Sequence, residues 1–330
     1  MMKRPLAILL GITGDFSFAA GCLLQALHRH SPDLNADILV YTDGNLPETD
    51  QTLLCALGAR LVPFSPLEAN FQAEYLKTFS LLTLATLEGL CLLDRYKTVI
   101  WLDVDTAIQD DISDLVTYGP LGMALEDPHF SESGVTSPAS INVTRATPGL
   151  APDEPNLNAD VVVFQDTLPD AKALYRQCRE WICQYAEYIK YIDQPALNML
   201  AQDLRRRDAA LFSLIPHDRF NAHPRNPGAQ YATIVHAFGA YKLWDDGLTR
   251  CAFPEWERDY RRWVAKGGSP WQGLVENSEF LDGGAFFVLT RLHGNMSAAQ
   301  KALDAQQAEL ERERILRRRF EGIAQKFGGS

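Results

Sequence analysis

"VIWLDVDTAI", residues 99–108, runs four apolar residues into Asp103 and sets a second carboxylate, Asp105, one valine further on. A short run that is apolar on both faces reads as a fully buried strand. In a strand, residues i and i+2 point to the same side, so Asp103 and Asp105 converge on one point where the strand ends. Two such carboxylates repel each other unless a cation lies between them. An oxygen-rich pair of this kind suits Mg²⁺ or Mn²⁺, usually shared with the phosphates of a substrate. Taken alone, the motif is better read as two solvated aspartates with Asp105 opening the next turn, and its surroundings have to decide.

Upstream, "PLAILLGIT", "ADILVYTD" and "ARLVPFS" read as buried strands. "SFAAGCLLQALHRH" and "PETDQTLLCALG" between them read as helices, and "EYLKTFSLLTLATLEGLCLLDRY" as one long helix before the 99–108 strand. Apolar strands alternating with helices imply an α/β fold with a mostly parallel, Rossmann-like sheet covered on both faces. Ligands of such sheets bind outside the carboxyl ends of the strands, where Asp15 and the Asp103/Asp105 pair fall.

Downstream, "GMALEDP" is a further strand, and residues 129–157 form a long Ser/Pro/Thr/Asn segment of the kind that serves as a lid or acceptor-binding loop or else is disordered. "NADVVVF", "LFSLIP" and "TIVHAFG" read as strands, with helices from Pro169 to Lys190 and along "DQPALNMLAQDLRRR". The texture changes after residue 250, which suggests a catalytic domain over 1–250 and an aromatic, basic and helical extension over 251–330. Leu316, Phe320, Ile323 and Phe327 make an apolar stripe among arginines. That helix is expected to dock on the body or on a second copy of itself, with a membrane surface as the alternative partner.

The net charge of −11 argues against a nucleic-acid partner, which needs a basic surface. Residues 255–330 hold 12 Lys+Arg against 11 Asp+Glu, leaving 19 against 31 upstream, so the acidity lies in the body, where a divalent cation would be welcome. Six scattered cysteines without a C-x-x-C pair suggest buried thiols in a reducing, cytoplasmic setting. Lys3 and Arg4 precede a short apolar run that Asp15 interrupts, and a buried first strand is a better reading of it than an export signal.

One reading of a strand ending in D-x-D is a haloacid-dehalogenase-type phosphohydrolase, but that motif wants Thr or Val where Ala107 stands and comes near the start of its domain. The other reading draws on "NADVVVF" (158–164), "YIDQPALNML" (191–200) and "IVHAFGAYKLW" (234–244), which follow the pair in order. With these motifs the chain resembles, over about residues 5–245, the family 8 retaining glycosyltransferases of the GT-A fold.

The resemblance implies that Asp103, Asp105 and His236 coordinate Mn²⁺ or Mg²⁺, and that the ion holds the diphosphate of a UDP-sugar. It also implies that Gly239 lets backbone approach a phosphate and that Lys242 neutralises the departing diphosphate. Thr13 would touch the ribose-uracil side, Asp15 would accept from the uracil ring N–H, and Phe18 would stack beneath it. Asp15 also fits a helix N-cap. Lys77 is expected to touch phosphate or sugar, or to be merely solvated, and Val104 and Ala159 belong to the donor-binding segments.

Asn158, Asp193 and Gln194 would hold the sugar, with Gln194 near the anomeric carbon and Asn198 one helical turn behind it. Asp160 stands where the family usually has Gly and puts a carboxylate beside the sugar, and Leu243 stands where the family has Pro. Retention normally calls for a carboxylate nucleophile. With the amide of Gln194 at the anomeric carbon, a same-face mechanism is preferred, and Asp160 or Asp193 as nucleophile stays open. The acceptor is expected to be a glycan, a lipid-linked glycan or a protein. An inactive nucleotide-sugar-binding module, or a peripheral membrane scaffold of polysaccharide assembly, is the alternative.

Overall fold

The computed structural model describes residues 2–73, 76, 80–126, 149–150, 156–189, 191–224, 226, 228–239, 242–244, 253–273, 296, 303–307 and 309–310. Nine strands are named among them: β1 (Arg4–Ile12), β2 (Asp37–Thr42), β3 (Ala59–Pro63), β4 (Tyr96–Leu102), β5 (Thr106–Ile108), β6 (Leu121–Leu125), β7 (Leu157–Gln165), β8 (Phe212–Ile215) and β9 (Ile234–His236). Seven of them form a mixed, mostly parallel sheet in the order β3-β2-β1-β4-β7-β6-β8, while β5 and β9 pair separately.

The inner strands β1, β2, β4 and β7 pack on both faces, as their nearly continuous apolar character requires. Leu6, Ile8, Leu10 and Ile12 of β1 join one core cluster. Ala7 and Leu9 join the other. Helix α1 (Ser17–His30) lies on the first side, and α2 (Glu48–Ala56) connects β2 to β3. The second side is covered by α3 (Glu88–Leu92), α4 (Ala171–Tyr185) and α5 (Gln194–Arg207). The side chain of Asp170 caps α4 by accepting from the N–H of Ala173 at 3.1 Å.

Two departures from the sequence reading have clear causes. The long helix expected before β4 is, over its described part, a 3₁₀ run from Leu81 to Leu87 that passes into the short α3. Ser80 starts this run afresh by accepting from the N–H of Leu82 at 3.1 Å. Thr83 and Thr86 then donate to the carbonyls of Ser80 and Thr83, at 3.1 and 2.6 Å. Hydroxyls bonded back three residues favour the tighter helix.

The second departure is β7, which runs antiparallel to both β4 and β6 and is bulged. Met123 pairs with Val162 and the next residue, Ala124, with Asn158, so Ala159, Asp160 and Val161 bulge from β6. Such bulges re-aim side chains beside active sites.

Helix α6 (Pro254–Ala265) packs on α1. Trp263 lies where any side chain on Gly21 would stand, since a Cβ there would fall 2.3 Å from Trp263 Cε3. Arg29 grips the fully buried Asp259 with two bonds of 2.9 and 2.8 Å. Among the described residues no helix is long and apolar enough to cross a membrane. Residues 303–307 and 309–310 are helical, while the stripe from Leu316 to Phe327, most of the 129–157 segment and Lys77 lie outside the described residues.

Candidate active site

The carboxyl end of β4 meets the β5–β9 ribbon, and backbone pairing fixes the spacing there. Thr106 lies opposite His236, Ala107 opposite Val235 and Ile108 opposite Ile234. The N–H of Ala237 donates to the carbonyl of Asp105 at 2.9 Å. The result is His236 Nε2 3.0 Å from Asp105 Oδ1, across 131 residues of chain. Both atoms are buried and neither makes a hydrogen bond, so the two groups face each other off the hydrogen-bond line. On the other side of the ring, Nδ1 lies 3.0 Å from Asn221 Oδ1. When the ring is neutral, an amide oxygen there places the hydrogen on Nδ1 and leaves Nε2 to present a lone pair, the arrangement found at metal-bound histidines.

Lys242 follows a turn at Gly239 whose φ of +84° strongly favours glycine. Its ammonium donates to Asp105 Oδ2, and to the carbonyl of Ala237 at 3.1 Å. Burial alone would raise the Asp105 carboxyl, but Lys242 and His236 overcome it and hold it below the usual carboxylate range. Burial likewise disfavours a charged His236, yet Asp160 and Asp105 raise its pKa. A cation entering the site competes with that proton.

Asp103 shares the side of β4 that carries Trp101, whose indole N–H donates to Asp103 Oδ1 at 3.0 Å. Its backbone N–H donates to the carbonyl of Asp160 at 2.9 Å. Burial, then Asp160 and Asp105, push the Asp103 carboxyl well above its ordinary value. Ligand atoms of Asp103, Asp160 and His236 all lie within 4.8 Å of one another. Hard carboxylate oxygens, one imidazole nitrogen and two orphaned buried polar atoms together fit a divalent cation.

The bulge of β7 is held by Asn158, whose Oδ1 accepts from the N–H of Asp160 at 3.1 Å. Asn158 and Ala159 are themselves buried. Asp193 opens α5 with its Oδ2 2.9 Å from Thr86 Oγ1, whose hydrogen is directed at the carbonyl of Thr83. Burial and then the charge of Asp160 push its carboxyl up to about 8. Gln194 is half-buried on the first turn of α5. Its carbonyl accepts from Asn198 Nδ2 at 2.8 Å, and the same amide ties down Leu157 through bonds of 2.8 Å each way.

At the end of β1, Thr13 precedes a 3₁₀ turn of Gly14–Phe16 and accepts from the N–H of Phe16 at 3.0 Å. Asp15 is exposed, and no side-chain cap bond is made at the start of α1. The expectation that Phe18 stacks under a base is corrected. Phe18 is 1% exposed and enclosed by Trp244, Trp256, Tyr260 and Trp271. The partly exposed aromatic residue of this loop is Phe16, against Trp244 and Trp271 at centroid distances of 5.7 and 5.6 Å. Alternation along the first turn could not tell the two apart. Sequence reasoning also missed Asn221, which no motif marks.

The family description "Glycosyl transferase family 8" matches residues 7–247, and the chain belongs to that family of glycosyltransferases. No curated protein matches it by sequence. Among solved structures it is similar to the galactosyltransferase LgtC in complex with donor and acceptor sugar analogues, with a TM-score of 0.58 and 17% identity over 79% of this chain and 99% of that one. It is also similar to the bifunctional glycosyltransferase WbbM in its apo form, with a TM-score of 0.60 and 15% identity over 81% of this chain and 51% of the other. An active-site mutant of LgtC with glutamate in place of glutamine matches at a TM-score of 0.57 and 16% identity, over 79% and 99% of the two chains. These likenesses establish the GT-A fold.

Proposed function

We propose that the protein is a metal-dependent, retaining hexosyltransferase that moves a sugar from a UDP-sugar to a glycan, lipid-linked glycan or protein acceptor. The observation that carries this reading is the pair of orphaned atoms, Asp105 Oδ1 and His236 Nε2, held face to face at 3.0 Å at the carboxyl end of the sheet. Asp103, Asp105 and His236 would hold Mn²⁺ or Mg²⁺, and the bound ion would neutralise the diphosphate as it leaves. The complex of LgtC with donor and acceptor sugar analogues supports the substrate classes.

Within this reading the chain's own groups divide the work. Asp15 and Thr13 receive the nucleoside end, and the open backbone at Gly239 lets a phosphate approach. Lys242, now on Asp105, is within reach to transfer its charge to the leaving diphosphate. Asn158, Asp193 and Gln194 orient the sugar. Without the metal, the Asp193 carboxyl, raised to about 8, stays largely protonated at neutral pH, and its burial, the larger cause, disfavours the charged form that a nucleophile needs while leaving it a good hydrogen-bond partner for hydroxyls. The amide of Gln194 is no better as a nucleophile. Both facts favour transfer on one face of the sugar, with a phosphate oxygen deprotonating the acceptor, over a covalent intermediate. The five described cysteines are unpaired, which favours action in the reducing cytoplasm.

The test is turnover of common UDP-sugars with Mn²⁺. Release of UDP is expected, falling at least about 100-fold in Asp105→Asn, as loss of one preorganised electrostatic contact implies. Absence of hydrolysis and transfer with every donor, together with UDP binding by Asp103→Ala equal to that of wild type, would end the enzyme reading and favour a binding module.

A further inference from the structure

Asp160 is a carboxylate without a settled task, and its surroundings give it one. The β7 bulge fixes its backbone from both sides, through its carbonyl to the N–H of Asp103 at 2.9 Å and its N–H to Asn158 Oδ1 at 3.1 Å. The side chain is therefore presented by a sheet and not by a loose loop. Asp160 Oδ2 lies 3.2 Å from His236 Nδ1. That hydrogen is already directed at Asn221 Oδ1, 3.0 Å away. Asp160 consequently adds charge beside the imidazole without being needed to orient it.

The spacing is close to that of ligands around a single ion. Two donors at about 2.1–2.3 Å from a metal lie at most about 4.2–4.6 Å apart. Asp103, Asp160 and His236 each offer a ligand atom within 4.8 Å of the other two, so a small inward shift brings the three to that limit. Asp103, Asp105 and Asp160 meet at this end of the sheet, and the Lys242 ammonium is engaged with Asp105. Independently of the acidic cluster, the fully buried His236 has its Nε2 unbonded, facing Asp105 Oδ1, which is likewise unbonded.

We propose that Asp160 is a further ligand of the divalent cation beside Asp103, Asp105 and His236, so that the protein holds the ion before any nucleotide arrives. The inference rests on the reading of those three residues as cation ligands. A site with three carboxylates and an imidazole does not need a diphosphate to complete it, and the ion becomes a resident part of the protein.

The experiment titrates the metal-free full-length chain with Mn²⁺ alone and reads free Mn²⁺ by electron paramagnetic resonance. Wild type is expected to take up one ion without nucleotide. Asp160→Asn, which keeps the side chain's shape, is expected to weaken uptake at least about 10-fold, and Asp160→Gly similarly. Circular dichroism checks that both variants are folded, and Asp160→Glu, which restores a carboxylate, is expected to recover part of the binding. Uptake by Asp160→Asn and Asp160→Gly equal to wild type, or no uptake by wild type without UDP, overturns the inference. Donor turnover is read separately. Turnover with Asp160-independent Mn²⁺ uptake sinks the ligand role alone, while Asp160-dependent uptake with no turnover sinks the transferase reading alone.

Discussion

Asp193 should stabilise the protein when it is replaced. Its carboxyl ordinarily ionises near 3.8 but is pushed up to about 8 by burial and by Asp160. In the unfolded chain it is a carboxylate at pH 7, whereas in the folded, metal-free protein it must take up a proton. At 1.36 kcal/mol per pKa unit, that uptake costs about 4 kcal/mol at pH 7. Asparagine needs no proton and its amide N–H can donate to Thr86 Oγ1, so Asp193→Asn should recover about 2–4 kcal/mol, or about 4–8 °C in Tm for a chain of this size.

The sign of the pH dependence follows. A group whose pKa is raised on folding stabilises fully below its unfolded value and loses that contribution as pH rises through its folded value. Glu126, raised to about 7 by burial and then Asp160, and His236, raised by Asp160 and Asp105 against burial, act in the same direction. The lowered Asp105 acts in the opposite sense, but only at pH values below the ordinary carboxylate range. Tm measured with a chelator at pH 5, 6, 7 and 8 should therefore fall with pH in wild type and fall less in Asp193→Asn, whose transfer rate drops. A variant less stable than wild type at pH 8, or one with an unchanged slope, would refute the argument.

Lys242→Met removes the cation that now pairs with Asp105. Steady-state kinetics with a working donor should show turnover reduced about 10²–10³-fold, and a rate within threefold of wild type would show that the leaving diphosphate does not use it. Asp259→Ala leaves the part-buried Arg29 guanidinium with Glu255 at 3.3 Å as its remaining carboxylate, and loss of the two charge-assisted bonds under α6 costs about 1.5–3 kcal/mol. Thermal unfolding should register that loss, and an unchanged Tm would mean that α6 docks without the pair.

The β1, β2 and β4 strands and the helices α1 and α2 were legible because burial on both faces leaves a nearly continuous apolar run, the strongest pattern a sheet imprints. The approach of His236 to Asp105 was legible because ordered motifs stand in for contacts that one sequence cannot display. Other features were hidden for physical reasons. The direction of β7 depends on which neighbours it joins, and "NADVVVF" looks the same run either way. Its bulge depends on register, which has no local signature, so the contact of Asp160 with His236 was hidden. The 3₁₀ run around Thr83 and Thr86 keeps helical apolar spacing, and only the hydroxyl bonds to carbonyls three residues back distinguish it. Phe16 and Phe18 exchange roles because the chain makes a tight turn between Thr13 and Ser17.

The aromatic packing behind the Thr13–Phe16 turn bears on how this catalyst can be altered. Trp244, Trp256, Tyr260 and Trp271 surround Phe18, and Trp271 also meets Phe16 next to Asp15. Trp256, Tyr260 and Trp271 lie beyond residue 247, where the family match ends. A chimera that borrows this chain only up to that boundary would lose three of the four rings that enclose Phe18, and with Trp271 one of the two that flank Phe16, so the shape of the Thr13–Phe16 turn depends on a segment outside the family match.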